Sequence, residues 1–149
     1  MPLALHFSCM QQEDYVNLRT AKLLKEIGFN EPTSAHWRHR WYDEKSEWRF
    51  CNDWHIKPTN WNESEMNERY AAPSLYEAQQ FLMEGDNGII ILPYINIYGY
   101  WRYTFQSKRS NDVDAKGNFS SYREALSAGV EYVAELLYNK HYSTDERNK

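Results

Sequence analysis

The residues best suited to binding chemistry lie in one segment, between positions 36 and 61. Aromatic rings and basic side chains are interleaved there, and five of the six tryptophans of the chain fall within it. Guanidinium groups fit phosphates and tryptophan rings can stack on bases, so this mixture is typical of surfaces that bind nucleotides or oligonucleotides. The candidate binding residues of this segment are Arg38, His39, Arg40, Trp41 and Trp54.

The order of residue types in this segment has a second interpretation. Trp37, His39 and Trp41 alternate with Arg38 and Arg40, and a period of two is the mark of a strand with one buried face. The aromatic side chains would then belong to the core, and the arginines would lie in solvent. We favour this interpretation because the alternation predicts it directly. The local charge does not distinguish the two interpretations, since residues 33–60 carry five basic and four acidic side chains.

A second aromatic cluster follows the most strand-like run of the chain, GIIILPYINIYGYWRYTF at 88–105. If helices leave one face of this hairpin uncovered, its rings would form an exposed patch, and such patches usually mark a binding or self-association surface. Packing in the core and at the sheet edge is the alternative, and both remain open. The candidate residues here are Tyr98, Trp101, Arg102 and Tyr103.

Patterns that would indicate catalysis or metal binding are absent from the sequence. His39 and His55 lie near Cys51, but no H-E-x-x-H or C-x-x-C spacing occurs. Ser74 and Ser121 each precede a glutamate by three residues, which is the pattern of a helix capping box and not of a nucleophile. We therefore expect no catalytic residue, no metal and no cofactor; whether the protein is an enzyme stays open, and a non-enzymatic protein is favoured.

Composition limits the class of protein further. A chain of 149 residues is one domain by length. The net charge of −4 argues against a general nucleic-acid binder, which needs an excess of basic residues to neutralise phosphates. The first ten residues, MPLALHFSCM, have no basic region typical of a signal peptide. No window reaches the roughly 20 apolar residues of a membrane span, so we expect a cytoplasmic protein without membrane contact.

Helix and strand signals give the element order. Apolar spacing predicts a helix over 13–27 that ends at Gly28, and the two capping boxes predict helices that start at Ser74 and Ser121. Alternation predicts hairpins over 34–51 and 88–105, the second with its turn within 95–99. The expected fold class is α+β in the order α-β-β-α-β-β-α, with an antiparallel sheet of about four strands and helices packed on one face. One domain spans 1–149, with an N-terminal arm at 1–12, a long loop at 52–72 and a frayed tail at 139–149.

Three segments together carry a resemblance. TAKLLKEIGFNEP, YAAPSLYEAQQFL and SYREALSAGVEYVAELL resemble a family of short proteins carried by gut Bacteroidetes and by their phages and prophages. The matching features are the Gly28-Phe29 helix end, the Ala72–Leu82 helix start, the Pro93-Tyr94 step and the Tyr122–Gly129 helix. These motifs concern helix caps and core faces, so the resemblance implies a fold and a mobile-element origin but no activity.

Three functional hypotheses follow. The leading one is a non-enzymatic binding protein of a phage or mobile element, which uses aromatic- and arginine-bearing hairpin faces to contact a partner protein or a small ligand, as a homo-oligomer. The alternative is a nucleotide- or oligonucleotide-handling protein, with or without enzymatic activity, built on the 36–61 cluster. A second alternative is a structural accessory subunit. The aromatic content of 16% favours the first, because it exceeds what one small core requires.

Overall fold

The computed structural model describes residues 10–39, 47–52, 57–63, 69–85, 88–108 and 113–147. Its helices are α1 (Leu18–Glu26), α2 (Leu75–Glu84) and α3 (Tyr122–Arg147). Its strands are β1 (Ala35–His39), β2 (Trp48–Asn52), β3 (Arg69–Ala72), β4 (Ile89–Ile95), β5 (Trp101–Ser107) and β6 (Val113–Phe119). Short 3-10 turns occur at Gln12–Asp14 and Trp61–Glu63.

The described strands form two antiparallel sheets of three strands each. The strand orders are β2-β1-β3 and β4-β5-β6, so the predicted α+β class is confirmed. The predicted single sheet of about four strands is not observed, because the two hairpins lie in separate sheets and each pairs with one additional strand. β3 lies within the predicted loop 52–72, and β6 lies in a polar stretch without alternation. Hydrogen bonds to β1 and β5 create these strands, and local residue preference does not reveal such pairing.

The first helix is shorter than the apolar spacing predicts. Residues 12–14 form a 3-10 turn, Tyr15 then makes an isolated β-bridge with Ser74, and α1 begins only at Leu18. The Asn17 side chain accepts a hydrogen bond of 2.8 Å from the Thr20 amide, which satisfies one unpaired donor of the first turn. The start of α1 is therefore set by the Asn17 cap and by the bridge to Ser74.

α1 ends next to Gly28, as the sequence predicts. Gly28 has a φ of +103°, a conformation that costs glycine nothing because it has no Cβ. The Gly28 amide donates to the Lys25 carbonyl at 3.1 Å, and the Phe29 amide donates to the Leu24 carbonyl at 2.8 Å. These two bonds make a Schellman motif, in which the buried Phe29 and Leu24 also supply the apolar contact.

The two predicted capping boxes differ in the structure. Ser74 and Glu77 exchange both hydrogen bonds, at 3.1 and 3.0 Å, so the box at the start of α2 is confirmed. At α3 the Ser121 hydroxyl accepts from the Glu124 amide at 3.1 Å. The Glu124 carboxylate instead accepts from the amide and hydroxyl of Ser120. The far end of α3 also differs, since the helix continues to Arg147 through the predicted tail 139–149.

α3 covers one face of the second sheet and completes the core. Its apolar residues Leu126, Val130 and Val133 are buried in one core cluster with Ile91 and Tyr103 of the sheet. The backbone of α3 approaches the sheet closely at Gly129, because a Cβ added there would lie 2.8 Å from Cγ2 of Ile91. The absence of a side chain at Gly129 thus permits the close packing of α3 on the sheet.

Candidate functional site

The alternating residues of β1 are divided between the two faces of the first sheet. Trp37 is buried, packs on Phe50 with 5.4 Å between ring centroids, and donates its indole N–H to the Val16 carbonyl at 3.1 Å. His39 lies on the same face and contacts the ring of Trp48, with centroids 5.0 Å apart. The packed side of the sheet therefore carries the rings of Trp37, His39, Trp48 and Phe50.

Helix α1 contributes the cations over this aromatic face. The Lys22 ammonium lies 5.1 Å from the Trp48 ring centroid and 5.7 Å from that of Tyr70. The Lys25 ammonium lies 5.2 Å from the Tyr70 centroid. Lysines whose stems cross apolar surface shield it from water while keeping the charge in solvent. The rings of Trp48 and Tyr70 on this face are thus already in contact with lysines of the protein itself.

The opposite face of the first sheet carries a row of three arginines. Arg38 in β1 lies directly opposite Arg49 in β2 and directly opposite Arg69 in β3. Residues in such register point to the same side of the sheet, and neighbouring strands are about 4.8 Å apart, so the row spans roughly 10 Å at the backbone. We call Arg38, Arg49 and Arg69 the arginine face. Like charges placed directly opposite each other destabilise a sheet, and a bound anion would relieve that cost.

The ring of His36 lies beside the arginine face. His36 is two residues before Arg38, and its ring stacks on Trp61 with 3.9 Å between centroids and 26° between planes. The pKa of His36 is lowered from 6.5 to about 4, mainly by burial and in addition by the nearby charges of Arg69 and Arg38. The imidazole is therefore neutral at pH 7. Its Nδ1 is buried and has no hydrogen-bond partner among the described residues.

Trp61 joins the arginine face to the rest of the domain. Its indole N–H donates to the Thr33 carbonyl at 3.3 Å, and the Arg69 guanidinium lies 5.1 Å from its ring centroid. With His36 stacked on the same ring, Trp61 acts as a support that orients neighbouring side chains. Arg69 is thereby held by a cation–π contact in addition to its place in β3.

The structure separates the residues that the first cluster groups together. Arg38 belongs to the arginine face, whereas His39 lies on the packed side of the same strand. Arg40, Trp41 and Trp54 lie outside the described residues. Arg69 is not among the residues predicted from the sequence, because 52–72 is predicted as a loop and Arg69 then has no strand partner. Arg69 joins the arginine face only through the register in which β3 pairs with β1.

The second predicted cluster is also divided. Tyr103 is buried beneath α3 and contacts the rings of Phe119 and Tyr132. Trp101 is half-buried and packs edge-on against Tyr122, with 5.6 Å between centroids. Arg102 points to the other side of β5, where its Nη2 donates to the Ala115 carbonyl at 3.3 Å. Tyr98, in contrast, is 78% exposed at the hairpin turn.

The most exposed apolar side chains of the β4–β5 hairpin, Ile97 and Tyr98, lie at its tip. Ile97 is 92% exposed, and Ile95, Tyr98 and Tyr100 are also largely exposed. The loop is nevertheless ordered by Asn96, whose side-chain oxygen accepts from the amides of Tyr98 and Tyr100 at 3.0 Å each. Gly99 has a φ of +84°, so the chain reverses inside the turn predicted at 95–99. The tip therefore presents apolar side chains from a preorganised turn.

The described part of the chain has neither a metal-ligand cluster nor a membrane-spanning helix. It contains no group of three or more His, Cys, Asp or Glu side chains that could hold a metal ion. No helix within it has the length and apolar character needed to cross a membrane. Cys51 is a free thiol.

The fold and its surfaces define a small α+β protein with two antiparallel three-stranded sheets, an arginine face on one sheet and an apolar hairpin tip on the other. No protein-family model, no curated protein and no solved structure matches the chain.

Proposed function

We propose that this chain is a non-enzymatic binding protein of a phage or mobile element, and that its arginine face recognises a ligand carrying several anionic groups. The observation that carries the proposal is the cross-strand row of Arg38, Arg49 and Arg69. A guanidinium binds phosphate or carboxylate oxygens through two parallel hydrogen bonds. Three of them in a row of roughly 10 Å match a ligand with adjacent charges, such as a chain of phosphates.

Binding, and not proton-transfer chemistry, suits these groups. Arginine stays protonated at all physiological pH values. His36, the histidine beside the row, is buried and has a pKa of about 4, whereas a general base works best when its pKa is near the working pH. The mobile-element origin rests on the resemblance of the helix motifs alone.

The test is a calorimetric titration of the protein with inorganic triphosphate. The wild-type chain should bind it, and binding should weaken as salt rises, because screening reduces the attraction between exposed charges. Arg38→Gln and Arg69→Gln should each weaken binding about tenfold, which corresponds to the ~1.5 kcal/mol of a hydrogen bond to a charged group. The matched control is Arg19→Gln, an arginine of α1 that pairs with Glu131 and Glu135 outside the arginine face.

Two results would contradict this proposal. Triphosphate binding that Arg38→Gln and Arg69→Gln leave unchanged would place the anion elsewhere. Absence of binding at low salt to the folded wild-type chain would remove the basis for an anion-binding function altogether.

The hairpin tip supports self-association as a second candidate function. Its motivating observation is the exposure of Ile97 and Tyr98 on an ordered turn, since preorganised apolar side chains lose little entropy on association. The expected wild-type form is a homo-oligomer in native mass spectrometry. The double variant Ile97→Ser, Tyr98→Ser should shift it to the monomer, while Tyr76→Ser, which changes an exposed tyrosine on α2, should not. A wild-type monomer at ~100 μM, far above the Kd of a stable oligomer, would exclude this function.

A further inference from the structure

A groove lies on the packed side of the first sheet, between the N-terminal segment and the first turns of α3. Its volume is about 540 Å³, within the range of roughly 300–1,000 Å³ that is usual for small-molecule sites. Tyr15, Trp37 and Phe119 give it an aromatic lining, and Ala128 adds an apolar surface from α3. Trp37 points away from the arginine face, so the two sites are on opposite sides of β1.

The charges around the groove are predominantly negative. Three carboxylates, those of Glu13, Glu124 and Glu131, line it together with one guanidinium, that of Arg123. Arg123 is already matched, because its Nε lies 3.1 Å from the carboxylate of Asp14 and its Nη1 lies 3.9 Å from that of Glu13. The lining therefore keeps an excess of negative charge.

The remaining ion pairs leave that excess in place. Arg19 reaches Glu131 at 2.7 Å and Glu135 at 2.9 Å, so a single guanidinium serves two carboxylates. Glu124 accepts hydrogen bonds from the amide and hydroxyl of Ser120, and these bonds lower its pKa, which keeps it ionised at neutral pH. The described residues place no basic group against Glu124.

We propose that this groove binds a small organic cation in which an apolar ring or chain carries an ammonium or guanidinium group. The ring would contact the aromatic lining, and the cation would lie near Glu124, at the end of the groove formed by the start of α3. Aromatic faces and carboxylates together are the usual surroundings of a bound organic cation. This inference is independent of the arginine face.

The experiment uses three probes of nearly equal size and different charge. Phenethylamine is cationic, 2-phenylethanol is neutral and 3-phenylpropionate is anionic, and each is titrated into the full chain by calorimetry. Phenethylamine should bind at least about fivefold more tightly than 2-phenylethanol, and 3-phenylpropionate most weakly, as expected for an amine close to an exposed carboxylate.

Variants locate the site. Glu124→Gln should weaken phenethylamine binding about two- to fivefold and leave 2-phenylethanol unchanged. Ser127→Leu, which fills the groove from α3, should abolish binding of both. Glu84→Gln, at an exposed glutamate of α2 outside the groove, should alter neither.

A further pair of variants separates the groove from its ion-pair network. Glu131→Gln and Glu135→Gln each remove one partner of Arg19, but only Glu131 lines the groove. Only Glu131→Gln should weaken amine binding. The proposal is overturned if the alcohol binds as tightly as the amine, if no probe binds the folded wild-type chain, or if a folded Ser127→Leu variant, verified by its circular dichroism melt, binds phenethylamine normally.

Discussion

The side chain of Gln79 in α2 donates a hydrogen bond of 2.7 Å from its Nε2 to the main-chain carbonyl of Ile91 in β4. β4 is an edge strand of the second sheet, so the carbonyls on its outer side lack a neighbouring strand. Unpaired edge groups invite pairing with another chain. Gln79 thus satisfies one of them and fixes α2 against the sheet. Pro93 fits the same edge, because it has no N–H to leave unpaired.

Replacing Gln79 by alanine should destabilise the fold. The Ile91 carbonyl would lose its partner in a partly buried position, at a cost of about 1–2 kcal/mol in the free energy of unfolding. Chemical denaturation monitored by circular dichroism measures this change. Gln80→Ala, one position along the same helix, is the matched control and should change the free energy by less than ~0.5 kcal/mol. Equal effects of the two variants would show that the hydrogen bond contributes nothing.

Gly129→Ala should also destabilise the fold, although alanine is the better helix former. The added Cβ would lie 2.8 Å from Cγ2 of Ile91 and 3.1 Å from Cγ of Tyr103. Overpacking of a core costs about 1–3 kcal/mol, against a gain in helix propensity of roughly 1 kcal/mol. We expect a net loss of about 1 kcal/mol and a lower Tm. Ser127→Ala on the same helix should be neutral or stabilising, and a stabilised Gly129→Ala would refute the close contact.

His36 makes folding stability depend on pH. Its pKa is about 4 in the folded protein against 6.5 when unfolded, so the unfolded chain binds the proton more readily between these values. The free energy of unfolding should therefore fall as the pH decreases from 6.5 to 4. The upper limit of this loss is about 3.5 kcal/mol, from roughly 1.4 kcal/mol per pKa unit.

The variant His36→Phe isolates this contribution. Phenylalanine keeps a ring on Trp61 but binds no proton, so the variant should lose less stability than the wild-type chain between pH 6.5 and 4. Both proteins share the titration of the carboxylates, which cancels in the comparison. Parallel pH profiles for the two proteins would mean that His36 is protonated without cost in the fold.

The arginine face should cost stability when no anion is bound. Arg38 is flanked by Arg49 and Arg69 in the register of the sheet. Arg38→Gln therefore removes the charge repulsion between position 38 and both neighbours. We expect a gain of about 0.2–1 kcal/mol at low ionic strength, which should shrink in high salt because screening weakens the repulsion. Arg19→Gln should show no such gain. Loss of stability in Arg38→Gln at low salt would mean that the row is already neutralised.

Features that depend on neighbours in the chain could be predicted from the sequence. The Schellman motif at Gly28, the Ser74–Glu77 capping box and the reversal at Gly99 each rest on residues only a few positions apart. Their signals are backbone conformations and side-chain hydrogen bonds that need no tertiary contact. The α+β class follows from the same local signals. The start of α1 was mispredicted, because Tyr15 is drawn into a bridge with the distant Ser74.

Tertiary structure alone decided the surfaces on which the proposals rest. β3 and β6 have weak strand signals, and they form because β1 and β5 offer hydrogen-bonding edges far away in the sequence. Only that pairing brings Arg69 into register with Arg38, 31 positions earlier in the chain. The groove likewise joins Tyr15 and Trp37 to the start of α3. A strand shifted by one residue turns every side chain to the other face, so such neighbours are set by register and packing and not by local residue type.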